Sequence, residues 1–153
     1  MSNFFSYGSA AGDDADDGNT AAIGSSLTGD EWDHVLRFAA RRRFAPGAVL
    51  LKAGDSDRAL SFVASGQVEL RGPERKRVVL RGEGETFGVL SFLDGAPSAV
   101  TVSVAGVAPA EVVRLTPEAL QQLAAWQPLL AIRLWQEMGA QVASRLRRLQ
   151  PAD

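Results

Sequence analysis

Cysteine is absent from the 153 residues, which removes disulfides, thiolate metal sites and cysteine nucleophiles together. Histidine occurs once, at His34, so no second imidazole exists to share a metal with. No apolar run approaches the roughly 20 residues that a membrane-spanning helix needs. Met1 to Gly8 lack a basic stretch followed by an apolar one, which argues against a secretory leader and for a cytoplasmic location. Neither sign of charge prevails: 16 Lys and Arg against 18 Asp and Glu leave a formal net charge of -2, so the molecule as a whole has no pull toward a polyanion. Aromatics are also too few, at 7%, to interleave with the basic residues as a nucleic-acid groove requires. Sequence motifs of catalysis are missing as well: there is no Gly-x-Ser-x-Gly elbow, no Walker loop and no zinc motif. Glu83 and Glu85 flank Gly84 and could in principle exchange a proton, but two solvated turn residues explain them better. An enzyme is not expected, and neither is a metal or a cofactor.

What is present reads as one domain behind a tail. Residues 1–26 are rich in Gly, Ala, Ser, Asn and Asp without an apolar period, and are expected to form a flexible tail; residues 27–153 carry the fold. Thr28 followed by Glu31 has the form of a capping box, in which a threonine oxygen and a glutamate three residues on satisfy free amides at a helix start. With Trp32, Val35, Leu36 and Ala39 at helical spacing, a helix is expected from about Asp30 to Ala40. From about 44 to 115 the pattern changes to short apolar segments: Val49 to Leu51, Leu60 to Val63, Val68 to Leu70, Val78 to Leu80, Thr101 to Val104 and Val112 to Leu115. Pro46-Gly47, Gly54-Asp55, Ser65-Gly66 and Gly72-Pro73 separate them as turns, a spacing that suits an antiparallel jelly roll. Thr116-Pro117 then opens a short helix over Ala119 to Trp126, and Pro128 a long one reaching about Leu149. The fold class is therefore mainly β with flanking α-helices: a jelly roll between an N-terminal helix and a long C-terminal one.

Gly84, Phe87, Gly88, Val89, Leu90, Ser91, Pro97, Ser98, Ala99 and Thr101 form a glycine-rich turn, a short apolar helix and a proline-closed return. This stretch, together with Phe44-x-Pro46-Gly47 and Leu60-Ser61-Phe62-Val63-x-Ser65-Gly66, resembles the cyclic-nucleotide-binding domain family, as found in cAMP receptor proteins and protein kinase A regulatory subunits. The resemblance covers about Leu27 to Leu149. It implies that the cassette from Gly84 to Thr101 is where cyclic AMP or cyclic GMP would sit. In the family a glutamate takes the ribose hydroxyl and an arginine the cyclic phosphate. Here those positions read Val89 and Ser98, and Ala99 replaces a hydroxyl that some members place on the phosphate. A hydrogen bond to a charged group is worth about 1.5–3 kcal/mol, so two such losses would lower affinity by about three decades if they add. Three readings remain open: the cassette has become core, it takes a different small ligand, or a neighbouring arginine (Arg71, Arg77 or Arg81) substitutes on the phosphate.

Along the last helix Ile132, Trp135, Gly139, Val142, Leu146 and Leu149 are spaced three and four apart, a heptad seam. Leu130, Leu134 and Met138 add a second stripe, more than one β core needs to cover. A homodimer through this helix is expected. Arg145, Arg147 and Arg148 are accounted for by the helix dipole, and the sequence given stops at Asp153 without the helix-turn-helix that transcription factors of the family append. The expectation is thus a regulatory or interaction module acting on an unidentified protein partner, with no direct nucleic-acid binding and no membrane contact.

Overall fold

The computed structural model describes residues 22–73 and 78–149. Helix α1 (Gly29–Leu36) opens on the expected capping box, with Thr28 Oγ1 accepting from the Glu31 amide and Glu31 accepting from the Thr28 amide. It stops at Leu36 rather than Ala40, because the chain turns at Arg37 and enters strand β1 (Ala40–Phe44). Three consecutive arginines in β1 hid it from any apolar alternation. What makes it a strand is backbone pairing with β8 at the sheet edge.

Strands β2 (Val49–Leu51), β3 (Leu60–Ser65), β4 (Val68–Arg71), β5 (Val78–Arg81), β6 (Thr86–Phe87), β7 (Thr101–Val104) and β8 (Ala110–Leu115) complete two antiparallel four-stranded sheets. One has the order β1-β8-β3-β6 and the other β2-β7-β4-β5. Residues alternate between the two faces of a strand, so β3 and β8 serve two cores at once. Val63 and Val112 point between the sheets, where they meet Leu51, Val68, Phe87, Val102 and Val104. Phe62, Val113 and Leu115 point outward to the helical layer. The six strand expectations hold with small extensions; β1 and the two-residue β6 are additional.

That helical layer is α1, the short α2 (Val89–Asp94), α3 (Pro117–Trp126) and α4 (Pro128–Leu149). Helix α3 begins two residues before the expected Ala119, with Thr116 Oγ1 accepting from the Ala119 amide. Helix α4 turns Leu130, Ala131, Leu134 and Met138 inward and leaves most of the heptad seam outside: Ile132 is 50% exposed, Trp135 44% and Leu146 54%. Val142 of the same seam packs against the core. The expected tail also gives way at its end. Residues 23–26 form a turn that drives Ile23 into the helical core at 1% exposure, while the rest of that expectation, residues 1–21, lies outside the described residues.

Candidate functional site: a glycine-framed cassette

The cassette is a helix held between two left-handed glycines. Gly88 at φ 86° ends β6 and starts α2, and Gly95 at φ 74° closes it. A side chain on Gly88 would be strained twice: the backbone lies in the left-handed region, and a Cβ would stand 2.5 Å from the Ala59 carbonyl oxygen. Gly84 turns the chain just upstream, where its amide donates to Val63 O and Val63 N donates to Glu85 O, tying the β5–β6 turn to β3. The Glu85 carboxylate accepts from the Gly82 amide at 2.6 Å, which makes Glu85 a turn residue.

Helix α2 presents mostly apolar side chains. Val89, Ser91 and Phe92 are buried, with Val89 and Phe92 belonging to the helical-layer core; Leu90 is 56% exposed. The position where the family pattern carries a glutamate thus holds a valine packed among Phe62, Phe92 and their neighbours. The Phe92 ring lies 5.5 Å from that of Trp135, so α2 touches α4 directly.

The return to β7 is bound up in itself and in the β2–β3 loop. Ser98 is buried, and its hydroxyl donates to Val100 O at 2.7 Å and accepts from Val100 N at 3.2 Å. Its backbone pairs with the loop, Gly54 N donating to Ser98 O and Ser98 N to Asp55 O. Thr101 Oγ1 accepts from Ala53 N at 2.9 Å. Pro97 and Ala99 are exposed.

Of the candidate substitute arginines, the two described ones, Arg71 and Arg81, have different partners. Arg71 pairs with Glu69 on its own strand at 2.9 Å. Arg81 is 6% exposed and donates from Nε to Thr86 O, two residues before Gly88. Arg77 lies outside the described residues. A cation that the sequence did not single out does reach the cassette: Arg58 donates from Nε to Phe92 O at 2.9 Å and from Nη2 to Leu93 O, capping the end of α2. Beside it, Asp57 receives two bonds from Arg114 Nη2. Nothing local marked Arg58, because its partners lie more than thirty residues away in sequence.

His34 stacks edge to face on Trp126 at 4.5 Å, and no cluster of metal-ligating side chains occurs among the described residues. On the far side of α4, Arg133 Nη1 donates to Glu31 Oε1 at 2.8 Å. That hydrogen bond, with one from the Thr28 amide, holds the Glu31 carboxyl below its ordinary 4.5 and raises Arg133. No helix among the described residues is long and apolar enough to cross a membrane.

Residues 41–125 match the cyclic nucleotide-binding domain. The chain is 35% identical over 132 residues to the cyclic AMP receptor protein of Thermus thermophilus, covering 83% of this chain and 56% of that one. It is 29% identical over 131 residues to a Rhodopseudomonas palustris chain described as a potassium channel protein, covering 84% of this chain and 31% of that one. The crystal structure of the Thermus thermophilus catabolite activator protein superposes with a TM-score of 0.67 at 31% identity, covering 82% of this chain and 58% of the other. The chain thus spans about half or less of the length of these relatives.

Proposed function

The chain belongs to the cyclic nucleotide-binding domain family, and from this premise we propose that it is a non-catalytic regulatory domain whose cassette has lost its grip on cyclic AMP and cyclic GMP. The observation that carries the reading is the state of the two recognition positions. Val89 is packed in a core where a carboxylate would need a ribose hydroxyl to satisfy it, and Ser98 spends its hydroxyl on the backbone of Val100. An arginine offers a planar fork of donors to a phosphate; a serine whose hydroxyl proton is already bonded within its own turn offers none. What persists is the frame: the two left-handed glycines, the apolar α2 and the Arg58 cap.

The output in this reading runs through α4. Phe92 and Trp135 join the cassette to that helix, and the exposed part of the seam, Ile132, Trp135 and Leu146, supports pairing with a second copy. Two helices with such seams bury apolar area together at about 25 cal/mol per Å². The resulting dimer presents a surface to a protein partner. A domain that shifts its helix pair does so only if something binds one arrangement better than the other.

A second reading is favoured by Arg81, whose buried guanidinium contacts the Thr86 carbonyl two residues before Gly88. In it, Arg81 supplies the phosphate contact and the domain still senses a cyclic nucleotide. Calorimetric titration of the intact chain with cyclic AMP and cyclic GMP separates the two. The first reading expects no heat of binding below millimolar ligand. Micromolar binding abolished by Arg81→Gln, with the fold retained, establishes the second and overturns the first.

A further inference from the structure

Strand β1 is the outermost member of its sheet: it pairs with β8 on one side, and among the described residues no strand pairs with its other side. An open edge offers backbone amides and carbonyls to any strand that comes alongside, and proteins protect such edges with charge. Here that charge is all of one sign. Ala40, Arg41, Arg42 and Arg43 are exposed, and only Phe44, at the end of the strand, packs on the core between the sheets.

Side chains alternate along a strand, so the arginines are divided between its two faces. Arg41 and Arg43 share the face of Glu111, whose carboxylate accepts from Arg41 Nη1 at 3.1 Å. Arg43 stands directly opposite that same glutamate in register, so one carboxylate serves a face with two guanidinium groups. Arg42 is on the other face, opposite Val112 and diagonal to Arg114, which is already paired with Asp57. Counting these residues, each face of the edge keeps one positive charge in excess.

This division says what fits. A nucleic-acid surface gathers its basic residues on one face. An edge that is basic on both faces instead matches an extended chain with acidic residues at consecutive positions, because the side chains of that chain alternate in the same way. A second copy of β1 does not fit, since its arginines would lie opposite arginines. The charges that turn away another β1 select a strand of opposite sign.

We propose that the outer edge of β1 is a docking site for an acidic, extended segment of a partner protein, which adds to the four-stranded sheet beside β1 and sets consecutive carboxylates on Arg42 and Arg43. Main-chain bonds along the edge supply the affinity, and the two arginines on opposite faces supply the preference for sequence. The site requires neither an occupied cassette nor the α4 seam.

The probe is a fluorescein-labelled peptide, Thr-Val-Asp-Glu-Asp-Val-Thr, titrated into the full chain and followed by anisotropy. In the isotope-labelled full chain it should shift the amides of residues 40–44 and slow their exchange. A peptide with Asn-Gln-Asn at its centre should bind about tenfold more weakly, as should the acidic peptide to R42T/R43T, because cross-strand ion pairs are lost in both. Threonine keeps the strand propensity of the edge, and the peptide series tests the same contact without altering the protein. Replacing both valines by proline keeps all the charge but removes amides that a strand must donate, and should weaken binding to the same extent. Undiminished binding of the proline peptide overturns the proposal, since charge alone would then suffice. So does an acidic peptide that fails to bind below millimolar concentration or that shifts amides elsewhere. Shifts at 40–44 that grow with protein concentration alone would assign the edge to a second copy, and a short DNA duplex that binds the same amides more tightly than the peptide would assign it to nucleic acid; either result also overturns it.

Discussion

Gly88, which belongs to the resembling stretch, and Arg58, which does not, both hold the frame of the cassette. Gly88→Ala puts a Cβ within 2.5 Å of a backbone oxygen in a left-handed conformation, so either β6 or α2 must move. The expected loss is about 1–3 kcal/mol of folding stability, read from urea denaturation followed by circular dichroism. Arg58→Met keeps most of the side chain's bulk but removes the bonds to Phe92 O and Leu93 O. Charge-assisted bonds of this kind are worth about 1.5–3 kcal/mol each, and partial exposure places the result at the lower end. Hydrogen exchange should rise in α2 and stay unchanged in β3 and β8. Reinstating the family's charges tests the recognition positions themselves. Ser98→Arg places a guanidinium at a buried position between exposed Pro97 and Ala99 and removes the serine's hydroxyl bonds, and should improve cyclic-nucleotide affinity measurably only together with Val89→Glu. Substitution at these two positions was visible in the sequence. The Ser98–Val100 turn was not, since a serine gives no sign of where its hydroxyl goes, and neither was the Arg58 cap.

The elements show where pattern is informative and where it is silent. The capping box of α1, the threonine cap and N1 proline of α3 and the heptads of α4 are local and were readable. Edge strand β1 was not, because its burial pattern is that of exposed arginines and only β8 makes it a strand. Two apolar stripes on α4 could be seen, but not which one faces inward: that depends on Phe62, Val113 and Leu115 across the sheet. The Glu31–Arg133 bridge joining α1 to α4 carries a pH signature. Its glutamate titrates lower when folded than when unfolded, so the stabilisation is present above the ordinary carboxyl range and is lost as pH falls through the lowered folded value. Comparison of Arg133→Gln with the unsubstituted chain by thermal melting should show a gap at pH 7 that closes progressively below pH about 4.5. A gap that persists in acid would assign the effect to packing by the arginine's stem.

At the scale of the molecule, two faces of α4 have different neighbours. The seam side is the proposed contact with a second copy. Ile132→Glu combined with Leu146→Glu should shift sedimentation toward a single-chain species at micromolar concentration while leaving the circular dichroism spectrum intact, since both side chains are half exposed in one chain. The opposite flank faces the segment that leads into α1. There the segment from Gly24 to Glu31 lies antiparallel to α4, so Ala22 and the last turns of α4 lie toward the same end of that contact. Tension applied through those two points opens the contacts at Glu137 and then Arg133 one after the other, as a zipper parts, instead of loading them simultaneously. The β sandwich lies outside that path of force. Mechanical work done there also has to draw Ile23 and Leu27 out of the helical-layer core.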